Sequence, residues 1–308
     1  MKKLLTRVVV IALAVGAIGC GIYAFRLLHR YGWPQNTAVN FFFRKRTSPQ
    51  NKKTTGRDVH NVGPFVGHNY STTFPAAEDP LSEGATWVEA DAAGAGCDHH
   101  PCWGDMQTLS GEAFGVSEPT EFGDPTAILT GAWQPDQTAE GTVVVSSAQP
   151  WHGCCHELEM RLRTTISANT ITGYEAYCSL IWTNPYCHIA SWGGPNGAWV
   201  NLDECQGHSA SQYLKDGDVL KATVSGTNPV TITEYINGIQ VLQILDDGSC
   251  TFSDGKKYGP WITGNPGIGQ YDTMDSDFRS FGWSSFSATD GFTPAVAEKA
   301  EQQASKKH

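Results

Sequence analysis

The sequence predicts an all-β fold, a two-layer antiparallel sandwich of the jelly-roll kind, on three observations. Short strand-like runs recur with turn signals between them from Ala127 to Ala288. No long segment of that stretch carries the 3.6-residue period of an amphipathic helix. The dipeptide Asn237-Gly238 separates Ile236 from Ile239, the signature of a two-residue hairpin whose turn needs positive φ at both central positions. Many short strands with no helices to cover them must bury one face against a second sheet.

In order, the predicted strands are Ala127-Leu129, Glu140-Ser146, His156-Thr165, Gly173-Trp182, His188-Trp192, Trp199-Leu202, Val219-Ser225, Thr231-Ile236, Ile239-Leu245 and Phe281-Ala288. Turn chemistry separates them: Asp216-Gly217-Asp218 precedes Val219, and Gly193-Gly194-Pro195-Asn196-Gly197 is expected to form a flexible loop between Trp192 and Trp199. The chain has 308 residues, of which 11% are aromatic and only 17% charged, so it can fill a sizeable core. Its net charge of -10 argues against nucleic acid as a partner, because phosphate binding needs a clustered basic surface that the body lacks.

The N-terminus predicts export. Lys2, Lys3 and Arg7 precede an uncharged run from Val8 to Phe25, long enough to span a bilayer. Three readings stand in this order: an uncleaved signal-anchor; cleavage at Ile22-Tyr23-Ala24; or a lipobox resemblance at Ala17-Ile18-Gly19-Cys20. Arg26, Arg30 and Arg44-Lys45-Arg46 follow the run, and the positive-inside rule alone would hold that side in the cytoplasm. The cysteines decide the other way. Of the nine, setting aside Cys20 leaves an even set of eight in the body: Cys97, Cys102, Cys154, Cys155, Cys178, Cys187, Cys205 and Cys250. An even set behind an export signal reads as disulfides. Cys97 with Cys102, and Cys178 with Cys187 across a hairpin, are the pairs that sequence proximity favours. Residues 1–30 are thus a signal-anchor or transmembrane segment, 31–70 a basic, Pro-containing juxtamembrane linker, 71–291 the sandwich and 292–308 a polar tail.

Several motifs recur in a familiar order. Asp79-Pro80-Leu81 and Trp87 open the body; Ala127-Ile128-Leu129 leads to Trp133 and Asp136-Gln137; Thr172-Gly173-Tyr174-Glu175 follows. Then come Asp216-Gly217-Asp218-Val219-Leu220, Tyr235-Ile236-Asn237-Gly238, Gly264-Asn265-Pro266-Gly267-Ile268-Gly269 and Phe286-Ser287-Ala288-Thr289-Asp290. This order, from Ser71 to Asp290, resembles the concanavalin A-like (laminin-G-like) jelly-roll superfamily of lectins, glucanases, lyases and adhesion modules. The resemblance implies the fold and leaves activity open.

The segment with the strongest enzyme-like pattern is His156-Glu157-Leu158-Glu159-Met160-Arg161-Leu162-Arg163. Period two on a strand sets Glu157, Glu159, Arg161 and Arg163 on one face and Leu158, Met160 and Leu162 on the core face. Related glucanases place their nucleophile and acid on such a face, and a retaining pair stands roughly 5 to 5.5 Å apart. Here the helper Asp of the glucanase pattern is missing, and Arg161 is expected to hold the carboxylates ionised, against the needs of a general acid. A charged strand face of cross-paired Glu and Arg is therefore the preferred reading of Glu157 and Glu159.

Two clusters, Cys97-Asp98-His99-His100-Pro101-Cys102 and His152-Gly153-Cys154-Cys155-His156, contain zinc-type ligands but lack paired C-x-x-C spacing, and oxidised cysteines cannot ligate. Asp272, Asp275 and Asp277 are candidate oxygen ligands for a structural calcium ion, although a solvated acidic loop is the preferred reading. No other cofactor is implied. For sugar binding the candidates are Trp182, Trp192, Trp199 and Trp151 with Tyr186 and His188, since apolar sugar faces stack on rings while polar side chains take the hydroxyls. Trp182, Trp192 and Trp199 are expected to gather on one edge or face. Trp87, Trp133 and Trp283 are expected in the core. The leading expectation is an exported, membrane-anchored, non-catalytic recognition or surface-structural protein whose partner is a glycan or another surface protein. The alternatives are a carbohydrate-active hydrolase or lyase using Glu157 and Glu159, and a structural filament subunit.

Overall fold

The computed structural model describes residues 67–90, 103–115, 124–145, 155–167, 170–195, 198–272 and 278–291. The expected anchor helix, Cys20, Cys97, Cys102, Cys154, Trp151, Asp275 and Asp277 lie outside the described residues, as do His99, His100 and His152 of the two Cys/His clusters. Among the described residues no helix is long and apolar enough to cross a membrane.

The fold is an antiparallel two-sheet sandwich of jelly-roll type. In chain order the strands are β1 (Asn69–Thr72), β2 (Trp87–Glu89), β3 (Met106–Leu109), β4 (Glu112–Gly115) and β5 (Thr126–Leu129). They continue with β6 (Gln137–Val145), β7 (His156–Ser167), β8 (Thr170–Ser179), β9 (Cys187–Pro195) and β10 (Ala198–Asn201). A one-turn helix α1 (Leu202–Cys205) precedes β11 (Val219–Ser225), β12 (Val230–Ile236), β13 (Ile239–Asp246), β14 (Asn265–Asp272) and β15 (Phe281–Thr289). One sheet runs β13-β12-β11-β6-β15-β4-β3, with β1 also on β15; the other runs β10-β9-β8-β7-β14-β5-β2.

Local chemistry sets these elements. Along β6 buried and half-buried positions alternate, the period of a strand with one face on a core. The β12–β13 hairpin turns at Asn237 (φ 53°) and Gly238 (φ 76°), the positive-φ pair the sequence demands. Asn237 also binds the preceding turn: its Nδ2 donates to Asp218 Oδ1 at 2.8 Å, and its Oδ1 accepts from the Val219 amide at 2.9 Å. Inside, Leu158, Met160 and Leu162 of β7 meet Trp283 and Phe286 of β15, and Trp87 joins them. Trp133 is half-buried against the same core. Gly141 is required there, because a Cβ would stand 2.7 Å from the Trp283 ring and 2.9 Å from Met160.

Cys178 and Cys187 face each other across β8 and β9 and are bonded, with Cα atoms 4.1 Å apart, as the hairpin spacing predicts. Cys205 bonds Cys250, fastening α1 to the chain beyond β13, and Cys155 is disulfide-bonded as well. These are the bonds of an exported chain.

Several boundaries differ from expectation. β8 stops at Ser179, so Trp182 lies in a turn rather than on the strand. β9 extends through Gly193, Gly194 and Pro195, and only residues 196–197 lie between it and β10. The expected flexible loop is thus mostly strand, with Gly193 pairing Thr172 and Gly194 pairing Ile171. A Cβ on Gly193 would lie 2.4 Å from the Tyr258 ring, so glycine there serves close packing rather than mobility. Leu202 opens α1 instead of closing β10.

Candidate functional site

β7 sits at the centre of the seven-stranded sheet, between β8 and β14. Its Leu158, Met160 and Leu162 fill the sandwich, so Glu157, Glu159 and Arg161 point to the opposite, outer face. Arg163 does not join them. A bulge follows Leu162, Arg163 takes φ 47°, and its guanidinium donates to the carbonyls of Pro135, Trp261 and Gly226 instead. Register brings the neighbours in: Arg161 lies opposite Glu175, Glu159 opposite Tyr177, Tyr177 opposite His188, and Trp192 opposite Trp199. On the other side Glu157 faces Tyr271 and Glu159 faces Gly269.

The expected Glu–Arg pairing is present, but it is buried rather than solvated. Arg161 Nη2 donates to Asp124 Oδ1 and Glu159 Oε2, each at 2.5 Å, and Nη1 donates to Glu175. Trp192 donates its indole N–H to the same Glu175 carboxyl, and the guanidinium carbon lies 5.7 Å from the Trp192 ring centre. Gly269 makes room for this cluster: a Cβ there would lie 2.2 Å from Glu159 Oε2 and 2.9 Å from Arg161 Nε. One guanidinium thus serves three carboxyls in a dry setting.

Burial reverses the expected titration. Desolvation raises Glu159 and Asp124 despite the Arg161 charge, and raises Glu175 to about 7. For Arg161 itself burial disfavours the charge, yet Glu159, Glu175 and Asp124 more than offset it and push its pKa up. Glu157 has no bond to Arg161. Its carboxyl accepts from the Tyr186 hydroxyl, and desolvation, only partly countered by that bond, lifts it to about 8. The expectation that Arg161 would lower both carboxyls fails because loss of water outweighs the one shared positive charge.

Beside Glu157 the rings of Tyr177, Tyr186 and His188 pack together, Tyr186 and His188 with centres 5.3 Å apart. Asp203 of α1 is fully buried and holds His188: its Oδ2 lies 2.8 Å from His188 Nδ1, and its Oδ1 accepts from the Ile189 amide at 3.0 Å. A carboxylate only accepts, so the His188 Nδ1–H donates to Asp203. The Tyr177 hydroxyl donates to Asn201 Oδ1 at 3.0 Å.

Trp192 and Trp199 lie together, ring centres 6.5 Å apart and planes 38° from parallel. Trp199 is 41% exposed, while Trp192 is half-buried against the fully buried Trp103. Trp182, 73% exposed, does not join them. It follows the Cys178–Cys187 end of the hairpin, about 16 Å along β9 from Trp192 at a strand's rise per residue. Asp272 is buried at the end of β14, its Oδ1 3.2 Å from His156 Nδ1. Oxygen atoms of Asp124, Glu159 and Glu175 lie within 4.8 Å of one another, a spacing fit for a cation, but the Arg161 guanidinium already binds all three. Cys178, Cys187 and Glu234 are equally close, with both sulfurs spent in a disulfide.

No protein-family model matches the chain, and no curated protein matches it. Solved structures resemble it weakly. The carbohydrate-binding module CBM66 from Bacillus subtilis is 11% identical with a TM-score of 0.39, covering 68% of this chain and 96% of its own. The carbohydrate recognition domain of Emp46p in its metal-free form is 11% identical with a TM-score of 0.43, covering 73% and 97%. A structure from work on endo-acting O-glycanases of the human gut microbiota is 8% identical with a TM-score of 0.43, covering 72% and 98%. Likenesses of this strength carry no argument about ligand or activity.

The sequence names Glu157 and Glu159 on this strand face and Trp192, Trp199, Tyr186 and His188 separately as ring candidates, and the structure brings them together with Asp124, Glu175, Tyr177, Asn201 and Asp203, to which the sequence gives no site role. Glu175 closes the Thr172-Gly173-Tyr174-Glu175 motif, which speaks for the fold and gives that carboxyl no role. Asp124 is 37 residues from Arg161 and had no local signal.

Proposed function

We propose that the protein is an exported carbohydrate-recognition protein, tethered through its N-terminal segment, whose ligand lies on the outer face of the seven-stranded sheet. The observation that carries this reading is the Trp192–Trp199 shelf, with Trp199 41% exposed beside a ring held by Arg161 and Glu175. A large ring left open on a rigid strand, next to fixed polar groups, suits the apolar face and hydroxyls of a sugar. Tyr186 and His188 extend the same face toward Glu157.

A glycan array probed with the full-length chain and with Trp199→Ala tests it. The shelf reading expects at least one glycan bound, and binding weakened by about 1 to 3 kcal/mol in the variant with an unchanged melting temperature. Equal binding by both proteins would remove Trp199 from the site, and an array with no glycan bound would end the reading.

A further inference from the structure

We propose that Asn69 carries an N-linked oligosaccharide whose first sugars lie in a hydroxyl-lined groove beside it, on the outer face of the eight-stranded sheet. The site is on the opposite sheet from the ligand face described above and is independent of it.

The chain contains one Asn-x-Ser/Thr triplet in which x is not proline, Asn69-Tyr70-Ser71. β1 presents it as an attached sugar requires. Alternation points Tyr70 inward, where its ring packs against Trp87 and Phe286 and its hydroxyl donates to Glu83. Asn69 and Ser71 therefore face outward together. Asn69 is exposed, and among the described residues its side-chain amide has no hydrogen-bond partner. Among the described strands β1 pairs with β15 alone, so a bulky substituent on Asn69 breaks no pairing. The Cys178–Cys187 and Cys205–Cys250 disulfides belong to an oxidising compartment, which is also where asparagine-linked sugars are added.

The groove is the second observation. Ser71 and Thr73, next along the same face of the chain, line a cavity of about 590 Å³ with Glu140, Thr142, Ser285 and Ser287. Register assembles this lining: Ser71 lies opposite Ser287, Ser287 opposite Glu140, and Ser285 opposite Thr142. Asn69 stands two residues from Ser71, about 7 Å along the strand, at the end of the groove. Hydroxyls and a carboxylate are donors and acceptors suited to sugar hydroxyls, and the volume falls in the range of about 300 to 1,000 Å³ that small ligands fill. In the transfer, the donor is a lipid-diphosphate-linked oligosaccharide and the acceptor is Asn69 Nδ2. The bond from Nδ2 to the sugar C1 forms as the C1–oxygen bond to the diphosphate breaks. Its electron pair leaves with the lipid diphosphate, and one Nδ2 proton is released.

The test purifies the full-length chain from the cells that naturally make it and reads its mass before and after peptide N-glycosidase. The expected result is loss of the mass of an oligosaccharide, with Asn69 left as an aspartate in the peptide map. In chains exported by a eukaryotic cell line, Asn69→Gln and Ser71→Ala should abolish the modification and Ser71→Thr should keep it. An unmodified Asn69 in the natural chain, or a glycan that survives Asn69→Gln, overturns the site. Threonine-methyl NMR reads where the sugars lie: the Thr73 and Thr142 signals should move between the glycosylated chain and Asn69→Gln, while those of Thr223 and Thr231, farther across the same face, stay in place. Unmoved Thr73 and Thr142 signals overturn the groove as the seat of the glycan. The mass of the natural chain is read without any substitution, so it decides the attachment even where a variant fails to fold. Failure of either part leaves sugar binding on the seven-stranded sheet untouched.

Discussion

The hydroxyl of Tyr186 donates to the carboxyl of Glu157, a bond between the end of the β8–β9 connection and the start of β7 that no local sequence pattern announces. It is the polar partner of a carboxyl that burial has lifted from 4.5 to about 8. Glu175, nearby on β8, rises to about 7 for the same first cause.

A carboxyl whose pKa is raised by folding binds more protons in the native state than in the unfolded one. Its contribution is whole below the ordinary value of 4.5 and is lost as pH rises through about 7 for Glu175 and about 8 for Glu157. Denaturant unfolding measured from pH 5 to pH 8.5 is therefore expected to show stability falling as pH rises. The fall should reach several kcal/mol, since a tenfold difference in proton affinity between the folded and unfolded chain corresponds to about 1.4 kcal/mol. A profile that stays flat or rises over that range would contradict the burial of these groups.

Glu234 contributes to the same slope from another place. It is fully buried on β12 against the Cys178 sulfur, with Oε2 lacking a partner, and burial together with Asp203 drives its carboxyl up. Glu234→Gln removes a group that must be neutral to stay buried. The variant is expected to match the parent at pH 5 and exceed its stability at pH 8, read as the midpoint of guanidinium unfolding. A variant less stable at pH 8 would show that Glu234 is held ionised by a partner.

Arg161 and its carboxyls behave as one unit. Arg161→Met leaves three buried acids with no cation, and removal of one partner from a buried ion cluster costs about 3 to 5 kcal/mol. Much of that loss should be regained at pH 5, where the acids take up protons. Circular-dichroism melts at pH 5 and pH 8 check this, and a loss of equal size at both would assign it to packing instead.

The two shelf tryptophans should separate by stability. Trp192 packs edge-on to buried Trp103, carries Arg161 on its face and bonds Glu175. Trp192→Ala is accordingly expected to lose about 3 to 5 kcal/mol, the range for a buried aromatic. Trp199→Ala, at a 41% exposed ring, should shift the melting temperature by little. Equal losses would mean that Trp199 is core.

Much of the sandwich is legible in the sequence because its causes are local. Val219–Ser225 matches its expected bounds to the residue, and the Asn237-Gly238 turn follows from the φ its type requires. The core face of β7 follows from alternation alone, as does the pairing of Cys178 with Cys187 across one hairpin. Less is legible where a strand is neither apolar nor alternating: β14, with Gly267 and Gly269 among its residues, carries a family-like motif and no strand signal. Those glycines are explained only by what they meet. A Cβ on Gly267 would stand 2.1 Å from the Ala127 carbonyl, and one on Gly269 would strike the Glu159–Arg161 pair.

By itself the sequence determined the class of fold, the core face of β7 and the pairing of Cys178 with Cys187, because periodicity, turn chemistry and hairpin spacing act over a few residues. The tertiary structure alone decided that Glu157 and Glu159 have different partners, that Asp203 holds His188, and that Trp182 stands apart from Trp192 and Trp199. The reason is that titration and stacking depend on how much water is excluded and on which distant strand supplies the neighbour. Arg161 illustrates it: one positive charge beside two glutamates on a strand predicts low carboxyl pKa values in water, and the same atoms shut off from water give high ones.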